Sequence, residues 1–574
     1  MHLSQQKRKN GRIYLSVVHG YRGPDGKNHN KHIRSLGYLD ELQKQYPDPI
    51  AHFKAEIAEE NKVRKERAKP IEISFYPNQK IEKDTCHTLE LGAAVPSAYF
   101  YRSLGIGEFF EKKRTARKFN YDPCRILELL VWDRIAHPSS KKAAWEGRDS
   151  FPRACKFTLD DVYRSLDYLN ENADKLVKAM NESLEKVAGP RNKTRLYYDV
   201  TNYYFEVENE DELRRRGVSK EHRPNPIVQM GLLLDGDGIP LDYEIFAGNQ
   251  NDMTTMLPVM KKACVGASKD DCERERVIMV ADKGLNTSNN IAACTLDGNG
   301  FILSQSVRKA TKTLKSWVLD EADYEENESG TFKIKSRIAD KNVRVKGEDG
   351  KMHTVKVPVK EVAFWSKDFF ERSRYERAHV IEKSMNAIAN TEMSSAAAKT
   401  SIRYAVDKPI VKETGERAQH NWVLDKDKIA ADEAMDGYYC IITSEQEMPD
   451  REIIEAYRGL WRIEESFRVL KSDFDARPVY VSREEHIRAH FLICYIALLI
   501  MRLMQADTGR KYSATEVSEA LYGCSGHLLD QNVYFFDYRT DLTDKLASAV
   551  SIDLSKTILT KGQIRTIMSD VKKR

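Results

Sequence analysis

Apolar residues alternate or cluster along the middle of the chain in runs typical of β-strands. Tyr, Val, Thr and Phe dominate residues 195–207, which predicts a first strand. Two further apolar runs, 227–234 and 239–246, flank the turn sequence DGDG and predict a β-hairpin. Together the three runs predict a meander of three strands.

After this meander the pattern alternates between helices and strands. A helix capped by Asn251 or Asp252 is predicted to run to about residue 264, and a second helix is predicted at about 286–295. Residues 277–281 are continuously apolar, as in a strand buried on both faces, and residues 301–304 predict one more strand. The order of elements predicts a mixed α/β sheet with helices on its faces.

Residues 306–436 interrupt this order. Apolar and polar residues alternate over 342–365, so the segment is interpreted as a β-rich insertion. A strand returns at 437–443, and Pro449 with Asp450 opens a long helix that is predicted to reach about Asp473.

The flanks of the chain differ in character from its middle. Residues 88–190 carry helical periodicity and fit either a helix-turn-helix DNA reader or a plain helical bundle. The predicted organisation is a basic N-terminal β unit with a charged helix (1–70), a helical DNA-binding region (88–190), the first part of the core (191–305), the insertion (306–436), the second part of the core with the long helix (437–525) and a helical C-terminal tail (526–574).

Composition narrows the class of protein only slightly. The 574 residues suffice for roughly three or four domains, and the net charge of +5 does not by itself indicate a nucleic-acid binder. The first 40 residues, however, carry eight Lys or Arg and two acids. Such a stretch attracts phosphate backbones, although a solvated surface has the same composition.

Cysteine usage and hydropathy exclude several classes. The nine cysteines are scattered without a CxxC pair, which argues against a disulfide framework or zinc finger and fits a reducing cytoplasm. The most apolar stretch, 489–501, is shorter than the ~20 residues that span a bilayer. We interpret it as a buried core helix and expect no membrane partner.

Three acids have positions that suit chemistry. Asp199 lies within the first core strand, where a buried unpaired acid is costly. Asp282 directly follows the apolar strand 277–281, and sites in α/β sheets gather at such strand ends. Glu464 lies on the predicted long helix. Each acid taken alone also fits a structural role, such as a strand-end cap, an ion pair or a solvated surface.

The spacing on the long helix adds a further signal. Tyr457, Glu464 and Lys471 are seven residues apart, so they share one stripe with only about 20° of drift per heptad. A coiled-coil seam carries apolar groups at such positions. A phenol, a carboxylate and an ammonium on one stripe instead favour a metal site beside a phosphate backbone.

These residues resemble the signature helix of the DDE transposases of bacterial insertion sequences. That signature has a Tyr, an Arg three residues later, a Glu four after that and a Lys seven further on. Tyr457, Glu464 and Lys471 match it, and Leu460 stands at the Arg position. Further blocks similar to the family are YDVT at 198–201, FAGN at 246–249, VADKG at 280–284, RPVY at 477–480 and HIRAH at 486–490.

The resemblance implies a fold and an activity. It implies an RNase H-like mixed sheet interrupted by a β-rich insertion, preceded by a small β unit and a helical DNA-binding region. It further implies a transposase that binds transposon ends, cleaves DNA and joins it to target DNA. The partners would be double-stranded DNA, as terminal inverted repeats and target, and a second protomer on that DNA. Such an enzyme would act in a bacterial or archaeal cytoplasm, at the nucleoid.

The resemblance also implies roles for single residues. Asp199, Asp282 and Glu464 would be catalytic and would hold two Mg²⁺ or Mn²⁺ ions, with Asp199 bridging both. The residues expected to contact DNA are Tyr457, Lys471, Arg458, Arg462 and Lys283, with Arg458 or Arg462 supplying the charge absent at Leu460.

Two other functions fit the same sequence. One is an RNase H-like nuclease that cleaves without strand transfer. The other is a DNA-binding transposase remnant without catalysis, against which the presence of all three acids argues. The long insertion and the Tyr–Glu–Lys stripe favour the transposase.

Overall fold

The chain forms two compact units, 1–83 and 84–574, in a computed structural model. Each unit is described by itself. The structure describes residues 1–573 with these exceptions: 9, 23–27, 67–77, 79, 81–82, 84, 115–118, 221–222, 265–275, 347–350, 390–402, 408–409, 412–416, 420–421 and 531.

The first unit is a small sheet with two helices. The elements are β1 (His2–Lys7), β2 (Ile13–Arg22), β3 (Asn28–Tyr38), α1 (Leu39–Leu42) and α2 (Pro49–Glu66). The three strands pair antiparallel in sequence order, and Leu15, Leu42 and Phe53 form the buried core. The predicted β unit followed by a charged helix is therefore present in the described part of 1–70.

The second unit begins with a helical region. The elements are β4 (Thr88–Glu90), α3 (Ala94–Ala98), α4 (Ile106–Arg114), α5 (Pro123–Ala136), α6 (Lys141–Glu146) and α7 (Leu159–Ala188). The longest helix, α7, starts in a capping box in which Thr158 and Asp161 satisfy each other's backbone N–H groups. Its apolar face, which includes Leu166, Leu169 and Leu176, is buried in the main core.

The core sheet starts with the predicted meander. The elements are β5 (Arg195–Tyr204), β6 (Ile227–Leu234), β7 (Pro240–Ala247), α8 (Met256–Cys264), β8 (Ile278–Ala281), α9 (Ser288–Leu296) and β9 (Gly300–Gln305). β5, β6 and β7 pair antiparallel, whereas β8 pairs parallel with β5 and β9 pairs parallel with β8. Almost every residue of β6 and β8 is buried, because helices and loops cover both faces of the sheet.

The segment 306–436 extends this sheet. Its elements are α10 (Lys312–Leu319), β10 (Glu325–Glu326), β11 (Phe332–Lys346), β12 (Met352–Ser366), α11 (Lys367–Ala389), β13 (Ala405–Asp407), β14 (Ile410–Val411), β15 (Arg417–Gln419), β16 (Trp422–Leu424) and α12 (Lys426–Glu433). The next strand, β17 (Tyr438–Thr443), pairs antiparallel with both β9 and β12. The nine strands therefore run in the order β10-β11-β12-β17-β9-β8-β5-β6-β7.

The predicted helix from Asp450 to about Asp473 is present as three consecutive segments, and the backbone of Gly459 and Leu460 between the first two is itself helical. It consists of α13 (Asp450–Arg458), α14 (Trp461–Arg468) and a π-helical turn (Val469–Asp473). Gly459 and Leu460 form a tight turn between α13 and α14, and the Leu460 N–H donates to the Tyr457 carbonyl. Glycine is weak in helix interiors, and this one lies directly against the ring of Tyr197.

Gly459→Ala should lower the free energy of unfolding by about 1–3 kcal/mol, the usual cost of overpacking. A Cβ at this position would lie 2.3 Å from the Tyr197 hydroxyl oxygen, and that ring is buried. Urea denaturation of the variant measures the loss. Gly562→Ala serves as control, because its Cβ would meet only the Thr560 hydroxyl at 3.9 Å. Equal midpoints for the two variants would show that the ring moves away without cost.

The most apolar helix of the chain lies at the centre of the second unit. α15 (Glu484–Asp507) contains the stretch 489–501, in which every residue is buried. By length and composition α15 is the one described helix that is apolar enough to cross a membrane, but 89% of its most apolar window is buried inside the protein. The predicted core helix is confirmed.

The sequence predicts a helical C-terminal tail, but the structure has strands as well as helices in this region. Its elements, with the helix that precedes it, are α16 (Ala514–Gly523), β18 (Ser525–Asp530), β19 (Val533–Phe536), α17 (Asp541–Ala549), β20 (Ile558–Thr560) and α18 (Lys561–Asp570). The three strands join β4 in a four-stranded sheet of order β20-β19-β18-β4. The pairing partner of β18 lies more than 400 residues away, at Thr88–Glu90, so local sequence patterns do not reveal it.

Candidate active site

The three predicted acids line one cavity. Its volume is about 730 Å³, and Asp199, Asp282 and Glu464 are all on its wall. They come from β5, from the residue that follows β8 and from α14. The structure thus brings together side chains that are far apart in the sequence.

Strand register explains why the two aspartates meet. β5 and β8 run parallel, and Tyr198 pairs with Ala281. The next residue on each strand is Asp199 and Asp282, so the register brings these two acids to adjacent positions. Asp199 is half-buried on β5, the strand that α14 contacts.

The Asp199 carboxyl group is electrostatically strained. Burial, which removes the water that solvates the charged form, and the charges of Asp282 and Glu464 together raise its pKa to about 6. Lys220 and the backbone N–H of Val200 oppose this rise. The carboxyl groups of Asp282 and Glu464 therefore interact electrostatically with that of Asp199.

Asp282 is held by two hydroxyl groups. Ser304 Oγ and Tyr457 Oη each donate to Asp282 Oδ1 at 2.9 Å. Tyr457 Oη also lies 2.9 Å from Tyr439 Oη, and burial raises the pKa of the Tyr457 phenol, so it stays a donor. Both bonds end on Oδ1, and within the described part of the chain no side chain donates to Oδ2.

Glu464 is exposed and faces the same cavity. In the regions that the structure describes, its carboxylate has no hydrogen-bond or ion-pair partner. A structural acid on a helix surface is usually solvated in this way, but this one lies opposite two other carboxylates. The Glu464 carboxylate adds a negative charge to a cavity wall on which Asp199 and Asp282 already lie.

Lys471, the last residue of the predicted stripe, lies beside Asp199. Burial and the charge of Lys220 lower the pKa of Lys471 to about 8, against the opposing effect of Asp199. Its ammonium is 5.5 Å from the ring centroid of Tyr203. Lys220, whose Nζ donates to the Val200 carbonyl at 2.5 Å, is a neighbour that sequence analysis missed because its loop has no recognisable pattern.

The other predicted DNA contacts divide into two groups. Lys283 and Arg458 are exposed and line the cavity, as does Leu460 at the position of the family's Arg. Arg462 does not line it: its Nη1 donates to the Gly236 carbonyl at 3.1 Å in the β6–β7 turn. The partner of Arg462 lies in a turn that is distant in the sequence, which helical spacing alone does not anticipate.

Several lining residues were missed from sequence. Trp461, whose side chain is 54% exposed, is the neighbour of Glu464 on α14. The segment 306–436 and the strand after it supply further lining residues: Arg308, Phe364, Phe369, Arg372, Glu376, Tyr438 and Tyr439. Their contribution depends on β12 and β17 pairing next to β9, a long-range contact.

The chain matches two protein-family models. Residues 2–71 match the family model of the IS1634 family transposase, N-terminal domain, and residues 206–500 match that of the transposase DDE domain. No curated protein matches the chain. A cryo-EM structure of the piggyBac transposase synaptic complex with hairpin DNA is 9% identical over 80% of this chain and 87% of that chain, with a TM-score of 0.32.

The match to the DDE domain covers half of the chain. It includes Asp282 and Glu464 and begins seven residues after Asp199. The N-terminal match adds an insertion-sequence transposase domain over the basic β unit. The chain therefore belongs to the DDE transposase family of insertion sequences.

Proposed function

We propose that this transposase cleaves DNA at transposon ends and joins it to target DNA, with Asp199, Asp282 and Glu464 as its catalytic residues. The observation that carries the proposal is the meeting of these three acids, from three separate elements, on the wall of one cavity. Isolated structural acids gain nothing by meeting there, because each raises the cost of ionising the others.

The residues of the cavity fit divalent metal ions. All three acids offer hard oxygen ligands, which suit Mg²⁺ or Mn²⁺. A cation between the carboxylates would relieve the repulsion that raises the pKa of Asp199. Among the described residues, no three His, Cys, Asp or Glu side chains converge on one point. Asp199, Asp282 and Glu464 would hold two ions between them, with Asp199 as the shared ligand.

Bound ions of this kind activate the attacking oxygen and stabilise the leaving oxygen in phosphodiester chemistry. The chain's own residues prepare the site. Tyr457 and Ser304 fix one oxygen of Asp282 and leave the other for a ligand. Lys471, Lys283 and Arg458 supply positive charge for DNA phosphates.

The proposed reaction has two steps that use no covalent enzyme intermediate. The oxygen of a water molecule bonds to phosphorus, the bond to the 3′ oxygen breaks, and a 3′-hydroxyl and a 5′-phosphate result. That 3′-hydroxyl then bonds to a phosphorus of the target DNA and displaces the target's own 3′ oxygen. We propose that Asp199, Asp282 and Glu464 act in both steps.

An RNase H-like core is part of this proposal. The strand order β7-β6-β5-β8-β9, with an antiparallel meander followed by two parallel strands, supports it. Within this core, 191–305 and 437–525 would form the two parts, with 306–436 as the insertion. The regions 1–70 and 88–190 would bind DNA, and 526–574 would be the C-terminal tail.

The proposed partners follow from the reaction. The substrate is double-stranded DNA, as terminal inverted repeats and as target. Joining two DNA ends usually takes two protomers, so we propose a homodimer assembled on DNA in a bacterial or archaeal cytoplasm, at the nucleoid.

The direct test is cleavage and joining of a labelled duplex of the element's end. We expect the protein with Mg²⁺ to nick the end and to transfer it into an unlabelled plasmid, and to do neither in EDTA. Nicking without transfer would favour the nuclease. Binding without nicking at any Mg²⁺ or Mn²⁺ concentration would favour the remnant.

A further inference from the structure

A second cavity of the 84–574 unit is strongly basic. Its volume is about 480 Å³, and it shares no lining residue with the active-site cavity. Six cations line it: Arg125, Arg148, Arg153, Lys561, Arg565 and Lys572. Asp149 is the one acid among its described lining residues. We call it the basic cavity.

The most deeply placed cation of the basic cavity is incompletely paired. The Arg153 side chain is only 7% exposed, and its Nη2 donates to the Met568 carbonyl. Its Nε and Nη1 are buried without a hydrogen-bond partner. Unsatisfied buried donors of a charged group are costly, so a built cationic site without an anion is unfavourable.

A buried acid beside the basic cavity, Glu128, already has several hydrogen-bond partners. Glu128 accepts hydrogen bonds from Ser97 Oγ, Tyr101 Oη and Arg125 Nη1 at 2.7, 2.9 and 2.5 Å. Its Oε1 lies 3.5 Å from Arg153 Nε. One carboxylate thus faces two buried guanidinium groups, and it does not neutralise both.

The surrounding charges repel one another. Burial lowers the pKa of Arg153, Glu128 opposes this, and the charge of Arg125 adds to the lowering. The ammonium of Lys572 behaves similarly, since burial and then Arg125 and Arg153 lower its pKa. An anion in the basic cavity would remove this repulsion.

We propose that the basic cavity binds a phosphate group of the DNA backbone, away from the active site. Guanidinium groups match the geometry of phosphate oxygens, and Lys561 and Arg565 are exposed at the rim, where they can follow a polyanion across the surface. The inference rests on the proposed function only in taking DNA as the ligand. Free phosphate has the same chemistry, and the test separates the two sources.

The test measures binding of a labelled random-sequence duplex in EDTA, at several KCl concentrations. The double variant Lys561→Gln/Arg565→Gln removes two exposed cations of the basic cavity and leaves buried Arg153 in place. The matched control Lys545→Gln/Lys556→Gln removes two exposed lysines of the same unit that do not line the cavity. Circular dichroism checks that both variants fold.

We expect the cavity variant to bind about tenfold more weakly near 0.1 M KCl, with a salt slope reduced by about 2, because each phosphate contact contributes about 0.9 to that slope. The control should match the wild type. Equal binding by both variants overturns the proposal while leaving metal-dependent cleavage, and hence the proposed function, untouched. Absence of DNA binding by the wild type overturns the proposal, and the cleavage assay on the element's end then decides the proposed function separately.

A second arm identifies the anion. Inorganic phosphate is titrated against the wild type and the cavity variant, and the melting temperature is recorded. If phosphate stabilises only the wild type while both proteins bind DNA equally, the cavity takes free phosphate and the DNA proposal is wrong.

Discussion

Glu464→Gln is expected to reduce the rate of metal-dependent cleavage at least about a thousandfold, while folding and DNA binding persist. The side chain is exposed and, among the described residues, makes no hydrogen bond or ion pair, so the fold loses nothing when its charge is removed. What is lost is a carboxylate on the wall of the cavity that Asp199 and Asp282 also line. An amide of the same shape is a poor ligand for a hard cation, so the effect is chemical rather than steric.

The matched control for this prediction is Glu455→Gln. Glu455 is also exposed, lies on α13 and does not line the cavity. Rates of nicking are compared at saturating DNA with Mg²⁺, and binding is compared in EDTA. If Glu464→Gln cleaves like the control, Glu464 holds no essential ion and the proposed site is wrong.

How far the sequence predicts this site depends on how local each contact is. The strands around Asp199 and Asp282 are predicted from their apolar runs, and the parallel pairing of β5 with β8 then places the two acids side by side. The seven-residue spacing of Tyr457 and Glu464 predicts that they share one face of the helix, and both line the cavity. Local patterns suffice here because each acid is fixed by its own strand or helix.

Contacts between distant segments account for what sequence analysis missed. Arg462 donates to the Gly236 carbonyl of the β6–β7 turn, 226 residues earlier in the sequence. Gly459 packs against the ring of Tyr197 on β5, another contact between segments far apart in the sequence. The strands of 526–574 likewise depend on β4, which no local pattern indicates.

Asp199→Asn should abolish cleavage yet make the metal-free protein more stable. Burial and the two neighbouring acids raise the pKa of Asp199 to about 6, whereas an unfolded chain holds it near 3.9. Folding therefore takes up a proton between about pH 4 and 6, so wild-type stability falls as pH rises through this window, and the penalty is complete above it. Asparagine never ionises, so the variant escapes that penalty.

At pH 7.5 we expect Asp199→Asn to raise the free energy of unfolding by about 1–2 kcal/mol, which is less than the full two-unit shift implies because the side chain is only half-buried. At pH 4 the difference should nearly vanish. Urea denaturation in EDTA at both pH values measures it, with the exposed Asp297→Asn as control.

Magnesium should reverse the order of stability. An ion bound between the carboxylates of the folded wild type stabilises it by mass action, whereas the variant lacks the shared ligand and gains little. A variant that is less stable than the wild type in EDTA would mean that Asp199 is a structural partner and not a strained ligand. A variant that is more stable, inactive and no longer stabilised by Mg²⁺ would show that the ionised Asp199 lowers the free energy of unfolding of the metal-free protein. A charge that destabilises the fold and is needed for activity serves the site and not the fold.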